Sequence, residues 1–240
     1  MLRYCLKSAH RLSLKPIVNQ MKHALTYGHS PARALANLGG SLAVMLILVA
    51  GPALAQDSPD LTVQRAVEGV TAALNTDKAL LSGDRARINA LVDTKVMPYV
   101  NIARMTQAAL GPHWARATPE QRAALGVEFK RLLTNTYAGA FTRYTPAARI
   151  EYRPSRLQPG DTDATVRSLV SVDGGQAVPL DYYLEQIDGA WKVTDFAVFG
   201  ARMVEIYKGQ FNGAINANGV DGLIKTLVAK NNGNEAAAAR

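Results

Sequence analysis

Residues 164–199 read ATVRSLVSVDGGQAVPLDYYLEQIDGAWKVTDFAVF, and their pattern determines the predicted fold class. Apolar residues alternate with polar ones along three segments of this stretch, as they do in strands with one buried face. Asp173-Gly174-Gly175 and Asp188-Gly189 separate the segments, and turns of this composition join antiparallel neighbours. The stretch therefore predicts a meander with strands at 164–172, 176–187 and 190–199.

A fourth strand is predicted before the meander at 149–153, and helices are predicted before that strand. Apolar residues at helical spacing predict a helix over 61–82. Asp84 is positioned to cap a second helix, and Gly111-Pro112 stops a third helix that begins at Ile102.

The long helix of the chain is predicted from a strong N-terminal signal. Thr118 suits the cap, Pro119 suits the first helical position, and Gln121 can reach back to complete a capping box. This helix is expected to run to about Tyr144 and to place its large apolar residues on one stripe. The stripe comprises Leu125, Phe129, Leu132, Leu133, Tyr137, Ala140, Phe141 and Tyr144.

After Gly200 the apolar spacing becomes helical again, through 203–215 and then in a short last helix at 223–227. The order of helices, meander and helices predicts an α+β fold, with the N-terminal helices and the long helix packed on a curved antiparallel sheet of about four strands. We expect one domain at 56–230, enclosing an apolar cavity, and a disordered tail at 231–240, which is polar and rich in Ala.

The first 55 residues have the pattern of a secretory signal peptide. Six basic residues precede the apolar run 41–50, no acidic residue is present, and Ala53-Leu54-Ala55 fits a cleavage site. The alternative is an anchor helix, but the apolar run is shorter than the about 20 residues that span a bilayer. We therefore expect export to the periplasm and cleavage near Ala55, with Met1 or Met21 as the start.

Removal of this leader changes the charge and the residue composition of the remaining chain. The whole chain has 27 Lys and Arg against 19 Asp and Glu, and loss of the six basic leader residues lowers the net charge from +8 to +2. A nucleic-acid partner is not expected, because such proteins keep a basic surface. Cys5 is removed with the leader, and His113 is the one histidine left. Nucleophilic catalysis and a zinc site are not expected from this inventory.

One enzyme class is compatible with the remaining residues. An α+β pocket can work with a buried Asp and a Tyr as acid and base, and Asp181, Tyr182, Tyr183 and Asp195 supply these groups on strands. The favoured interpretation is that both aspartates form ion pairs or cap backbone groups. We therefore expect no enzyme activity, no catalytic residue and no metal ligand.

The sequence resembles the MlaC family of periplasmic phospholipid-binding proteins. Members of this family are auxiliary components of an ABC transporter and are also linked to toluene tolerance. The resemblance extends from about Val63 to Leu227 and depends on four segments in a fixed order. The segments are Val96–Asn101; Leu110–Trp114 with Thr118–Gln121, Phe129, Leu132, Leu133 and Tyr137; Asp188–Asp195; and Tyr207, Gln210, Phe211, Gly219–Ile224 and Leu227.

Two positions depart from the family pattern. The family often has an acid at the position of Asn101, and it tends to have a small polar residue at the position of Arg202. A basic residue there can either meet a phosphate near a pocket mouth or face solvent. The departures bear on the lipid head group more than on the class of protein.

The resemblance implies a carrier that moves phospholipid between an outer-membrane lipoprotein complex and an inner-membrane ABC transporter complex with an MCE-domain subunit, and so maintains outer-membrane lipid asymmetry. Phospholipid would be cargo, and no cofactor is implied. Two alternatives remain open: an interaction or chaperone module with a solid core, and the small Asp/Tyr pocket enzyme.

A carrier of this kind needs a deep apolar lining, because exposing two acyl tails to water costs on the order of 20 kcal/mol at about 0.8 kcal/mol per methylene. Large apolar residues on the core-facing stripes could supply that lining, with Met105, Met203, Tyr207 and Phe211 closing the ends. We predict the lipid-binding set as a whole: Met105, Tyr137, Phe141, Tyr144, Tyr152, Val166, Val170, Tyr182, Leu184, Val193, Phe196, Met203, Tyr207 and Phe211.

Overall fold

The strands form one antiparallel sheet in which each strand pairs with its neighbour in the sequence. The structure is a computed structural model that describes residues 57–171 and 176–238; the predicted leader and the Asp173-Gly174-Gly175 turn lie outside these ranges. The sheet is curved and has five strands, so the predicted α+β class is confirmed. The strands are β1 Arg149–Arg153, β2 Asp163–Ser171, β3 Val178–Ile187, β4 Ala190–Val198 and the two-residue β5 Ala201–Arg202.

Helices precede and follow the sheet. Between α3 and α4 the chain makes a π-helical turn at Val92–Val96 and a 3-10 turn at Met97–Tyr99, and a 3-10 helix at Gly111–Arg116 leads to α5. The helices are α1 Pro59–Thr76, α2 Lys78–Leu81, α3 Arg85–Leu91, α4 Ile102–Leu110, α5 Pro119–Phe141 and α6 Met203–Ala238. The last of these is two helical segments joined at Gly219, whose φ of 69° is not helical.

The caps that the sequence predicts are formed. Asp84 accepts a hydrogen bond from the Arg87 amide at the start of α3. Thr118 and Gln121 form the reciprocal capping box of α5. In the turn between β3 and β4, Asp188 and Gly189 both have positive φ, as a tight two-residue hairpin turn requires.

Three predicted element boundaries were wrong. The helix predicted over 61–82 divides at Asp77, whose extended backbone ends α1 while its side chain caps α2. The long helix ends at Phe141, so Tyr144 lies beyond it and not on its stripe. The helical part of α6 continues to Ala238, and Asn231, assigned to the disordered tail, is buried and donates to the Glu128 carbonyl at 3.0 Å.

The apolar core consists of three clusters. The helical cluster joins α4, α5 and α6 around Phe129, which meets the rings of Tyr207 and Phe211 edge-on at 5.1 and 5.3 Å. The sheet cluster packs Val63 of α1 on the sheet. The N-terminal cluster joins α1, α2, α3 and the end of α5, with Ile88 at its centre. Within residues 57–171 and 176–238, no helix has the length and apolarity needed to cross a bilayer.

Candidate functional site

The sheet has one apolar face, which the strand register defines. Val170 lies opposite Ile150 and Val178, and Tyr182 lies opposite Val166 and Phe196. Because side chains alternate between faces along a strand, these rows share one side of the sheet. The apolar face comprises Ile150, Tyr152, Ala164, Val166, Ser168, Val170, Val178, Leu180, Tyr182, Leu184, Trp191, Val193, Phe196 and Val198.

A bulge in β4 keeps this face continuous. Tyr183 pairs with Asp195 but Leu184 pairs with Val193, so Thr194 is the extra residue. The odd spacing of Val193 and Phe196 would otherwise place them on opposite faces. The bulge therefore explains how both residues can belong to the predicted lining.

One end of the apolar face is covered; we call it the closed half and define it as Val166, Leu184, Trp191 and Val193. All four side chains are buried, and they pack with Val63 of α1. The chain between α3 and α4 covers the same end, because Val100 forms a parallel bridge with Val193.

The other end of the apolar face is only partly covered. We call it the open half and define it as the remaining large residues of the face: Ile150, Tyr152, Val170, Val178, Leu180, Tyr182, Phe196 and Val198. Each of these side chains is partly exposed. Tyr152 and Tyr182 border the sheet cluster, Phe196 and Val198 border the helical cluster, and the other four belong to none of the three clusters.

Two tyrosines of the open half are poor acids. Burial raises the pKa of Tyr152 to about 12, with a smaller contribution from Glu68. Burial also raises the pKa of Tyr182, although a hydrogen bond with Ser168 acts in the opposite direction. Both hydroxyls are therefore neutral near pH 7, and the open half carries no charge of its own.

The helices contribute apolar side chains to the border of the open half. The Tyr137 ring of α5 meets Phe196 edge-on at a centroid distance of 5.5 Å, and its hydroxyl donates to the Met203 sulfur at 2.6 Å. Burial raises the pKa of Tyr137 as well. This contact closes the side of the open half that faces the helical cluster.

Thirteen of the fourteen residues predicted to bind lipid lie in or border one of the three clusters. Val170 lies in the open half outside all of them, and Phe141 and Tyr144 border the N-terminal cluster, where the Tyr144 hydroxyl donates to Asn75 at 3.1 Å. The helical cluster contains Met105, Tyr137, Phe196, Met203, Tyr207 and Phe211, and the sheet cluster contains Tyr152, Val166, Tyr182, Leu184 and Val193. A void enclosed between these clusters stays a prediction.

Sequence reasoning missed four members of the open half, namely Ile150, Val178, Leu180 and Val198. Each lies two residues from a predicted member or directly opposite one across the sheet. The strand period of two, applied along every strand, would have identified them.

Asp195 and Tyr183 of the alternative enzyme site make polar and ring contacts within the fold. Asp195 accepts hydrogen bonds from the amides of Phe196 and Val204 and forms an ion pair with Arg202 at 2.8 Å. The Arg202 guanidinium also lies 4.2 Å from the centre of the Tyr183 ring. The favoured interpretation, ion pairing and backbone capping, is thus confirmed for Asp195. Asp181 lies opposite Arg167 on the outer face of the sheet.

Two hollows lie away from the open half. The larger, about 410 Å³, is on the outer face, where Arg156, Arg167 and Arg202 alternate with Asp163 and Glu185. The smaller, about 350 Å³, lies beside the Asp188-Gly189 turn and the start of α4. In residues 57–171 and 176–238, no group of three His, Cys, Asp or Glu side chains is placed to hold a metal ion.

The fold and the site together define the class of protein: a helix-wrapped antiparallel meander whose apolar face is covered at one end and partly uncovered at the other. Residues 64–229 match the model of the family described as MlaC protein. The chain belongs to the MlaC family.

The chain is similar to curated proteins and to a solved structure. The chain is 30% identical to the toluene tolerance protein ttg2D of Pseudomonas putida, over 77% of this chain and 86% of that protein. It is 26% identical to the intermembrane phospholipid transport system binding protein MlaC of Haemophilus influenzae, over 75% and 85%. A phospholipid-binding protein of Ralstonia solanacearum, solved in complex with a phospholipid, is 37% identical with a TM-score of 0.70, covering 77% of this chain and all of that one.

Proposed function

We propose that this protein is a periplasmic carrier that binds a phospholipid by its acyl tails against the open half of the sheet. One observation supports this function above others: eight apolar side chains share one face of the sheet, and all eight are partly exposed. A contiguous, partly exposed apolar patch is typical of a binding surface.

The energetics require more than a surface groove. Exposing two acyl tails to water costs on the order of 20 kcal/mol, at about 0.8 kcal/mol per methylene. The carrier therefore encloses the tails between the open half and α5, which borders the open half at Tyr137. The predicted lining set contributes to this enclosure as a whole.

The wider role is inferred from the names of the relatives. One is a binding protein of an intermembrane phospholipid transport system, and another is a toluene tolerance protein. We propose that this chain, after loss of the leader 1–55, moves phospholipid between an outer-membrane lipoprotein complex and an inner-membrane ABC transporter complex with an MCE-domain subunit. The folded domain then begins near residue 56 and includes α6, in which Asn231 is buried.

The proposed carrier binds its cargo and catalyses no reaction. Asp195 is already engaged by two backbone amides and Arg202, so it has little capacity left to act as a general base. Arg202, for which a phosphate contact and solvent exposure were both open, is solvent-exposed and is also paired with Asp195 and stacked on Tyr183. This arrangement favours a head group that stays in water.

The experiment that tests the carrier is native mass spectrometry of the mature protein purified from cells. We expect phospholipid to co-purify with the wild type. Val170→Arg and Tyr182→Arg should lower the lipid-bound fraction because each places a charge on the open half. Leu169→Arg is the matched control, since Leu169 lies next to Val170 in the sequence but on the outer face of β2.

The circular dichroism spectrum of each variant shows whether it remains folded. A lipid-free wild type would contradict the carrier and favour the interaction module with a solid core. Equal lipid loading in Val170→Arg, Tyr182→Arg and Leu169→Arg would retain a carrier but place its site elsewhere.

A further inference from the structure

Two tight turns bracket β4, and their backbones are nearly the same. Asp188 and Gly189 have φ values of 51° and 75°, and Phe199 and Gly200 have φ values of 51° and 78°. This left-handed region is tolerated by Gly, Asn and Asp but rarely by an aromatic residue. The first turn has a residue suited to its backbone, and the second has Phe.

Packing does not explain the choice of Phe at this position. Phe199 is 57% exposed, the highest value among the large apolar side chains of the described residues. A strained backbone persists where function requires it or where the surroundings compensate for it. Because burial provides little compensation here, an external contact is the remaining reason for an aromatic residue.

The two turns lie at opposite ends of the apolar face. Phe199 follows Val198, which pairs with Leu180 of the open half, and its amide donates to the Pro179 carbonyl at 3.1 Å. The Asp188-Gly189 turn instead lies two residues before Trp191 of the closed half. The strained, exposed aromatic residue is therefore at the end where the apolar face is uncovered.

We propose that Phe199 is a membrane-contact residue, whose ring inserts into the interface of a phospholipid bilayer while a lipid enters or leaves the open half. This inference rests on the proposed function. The inserted ring holds the domain transiently on the bilayer with the open half next to the membrane. Acyl tails can then pass from the bilayer to the open half without exposure to water.

A bilayer fits this side chain better than a protein partner does. The residues that follow, Gly200 to Arg202, are exposed and present no further large apolar side chain. A Phe ring buries about 150–250 Å², whereas a specific protein interface needs about 800 Å² from each partner. Aromatic rings are also enriched at membrane interfaces, and one ring gives the weak, reversible contact that repeated transfer requires.

Insertion is tested with Phe199→Trp and vesicles of phosphatidylethanolamine and phosphatidylglycerol. We expect a blue shift of the added emission, measured as the difference from the wild type, when vesicles are present. Val127→Trp is the matched control, because Val127 is 54% exposed but lies on α5. An equal response of the two variants, or no shift in Phe199→Trp, would overturn the proposal, including the case in which the residue binds only a protein.

Phe199→Asn separates membrane contact from folding. Asn suits the left-handed backbone, so the melting temperature should equal or exceed that of the wild type. The lipid-bound fraction should be unchanged, but transfer of a fluorescent phospholipid between two vesicle populations should slow by about tenfold or more, the order of effect of one buried Phe ring. Transfer at the wild-type rate would overturn the inference. Failure of the wild type to carry lipid would instead contradict the proposed function.

Discussion

The closed and open halves of the apolar face have the same strand pattern but different surroundings. Leu184 in the closed half is 1% exposed, while Leu180 in the open half, four residues away along β3, remains partly exposed. Alternation along β3 is identical at the two positions. Strand alternation therefore determines which face is apolar. The helices and loops that pack on that face determine how much of it is exposed to solvent.

The elements that cover the closed half are held in place by polar contacts at its edge. Asp60 of α1 accepts hydrogen bonds from both the amide and the hydroxyl of Ser155, which follows β1. The Asn101 amide donates to the Val193 carbonyl at 2.9 Å, so the chain leading into α4 joins the edge of β4. These contacts position α1 and α4 at one end of the sheet and leave the other end partly uncovered.

The largest expected effect comes from truncating equivalent leucines in the two halves. Leu184→Ala removes a fully buried side chain, so the free energy of unfolding should fall by about 3 kcal/mol. Leu180→Ala should cost less than about 1.5 kcal/mol, because its side chain already contacts solvent in the lipid-free domain. Denaturant unfolding of lipid-free protein measures both values.

Lipid loading should show the opposite order. Leu180→Ala should lower the lipid-bound fraction in native mass spectrometry more than Leu184→Ala does among folded molecules. If the two variants lose equal stability and equal lipid, the division into a closed and an open half is wrong.

A second, smaller effect is expected at Asp195, which fixes the start of α6 beside the open half. Asp195→Asn keeps an acceptor for the Val204 amide but removes the charge that pairs with Arg202. The free energy of unfolding should fall by about 2 kcal/mol, because the Asp195 carboxylate is 3% exposed and its hydrogen bonds are charge-assisted. The lipid-bound fraction of the folded variant should stay near that of the wild type.

A large drop in lipid binding by folded Asp195→Asn, or a loss of turnover of any substrate, would favour a chemical role for this carboxylate. Arg202→Lys provides the comparison variant, since it keeps the charge but alters the stacking on Tyr183.

Much of this architecture could be predicted from local sequence signals. The caps at Asp84 and Thr118 and the turn at Asp188-Gly189 depend on neighbouring residues alone, and all three were predicted correctly. The strand β1 was also predicted with its exact bounds, whereas β5 was missed because two residues have no period.

The candidate site could be predicted only in part, for a different reason. Residue type and alternation place Val170 and Tyr182 on the apolar face, but they do not distinguish Leu184 from Leu180. That distinction depends on α1, which lies about a hundred residues earlier in the sequence. Phe141 and Tyr144 illustrate the same limit, because the chain leaves the helix at Thr142 and packs them with α1 to α3 instead.

A third effect concerns pH and is specific to the open half. The pKa of Tyr152 is about 12 in the folded protein and 10 in its ordinary state. The unfolded chain therefore loses this proton first, and the stability should be unaffected below pH 10 and should fall as the pH rises from 10 to about 12. The raised pKa of Tyr182 adds to the same trend.

The measurement is denaturant unfolding at several pH values for the wild type and the Tyr152→Phe, Tyr182→Phe double variant. The double variant should lose less stability across this window. A steeper loss in the double variant would mean that these hydroxyls are ionised more easily in the folded protein than in the unfolded chain, contrary to their burial.

The smallest effect is expected at Asn101, where the family often has an acid. The Asn101 side chain accepts a hydrogen bond from the Arg104 amide and caps α4. Asn and Asp are about equally good at this position, and a negative charge at a helix N-terminus adds a few tenths of a kcal/mol. Asn101→Asp should therefore change the free energy of unfolding by less than about 0.5 kcal/mol and leave lipid binding intact.

Asn101→Ala is the comparison variant and should cost about 1 kcal/mol, because the cap is lost. An Asp variant as unstable as the Ala variant would show that the departure from the family pattern has a role other than capping, at the edge where α4 meets the closed half.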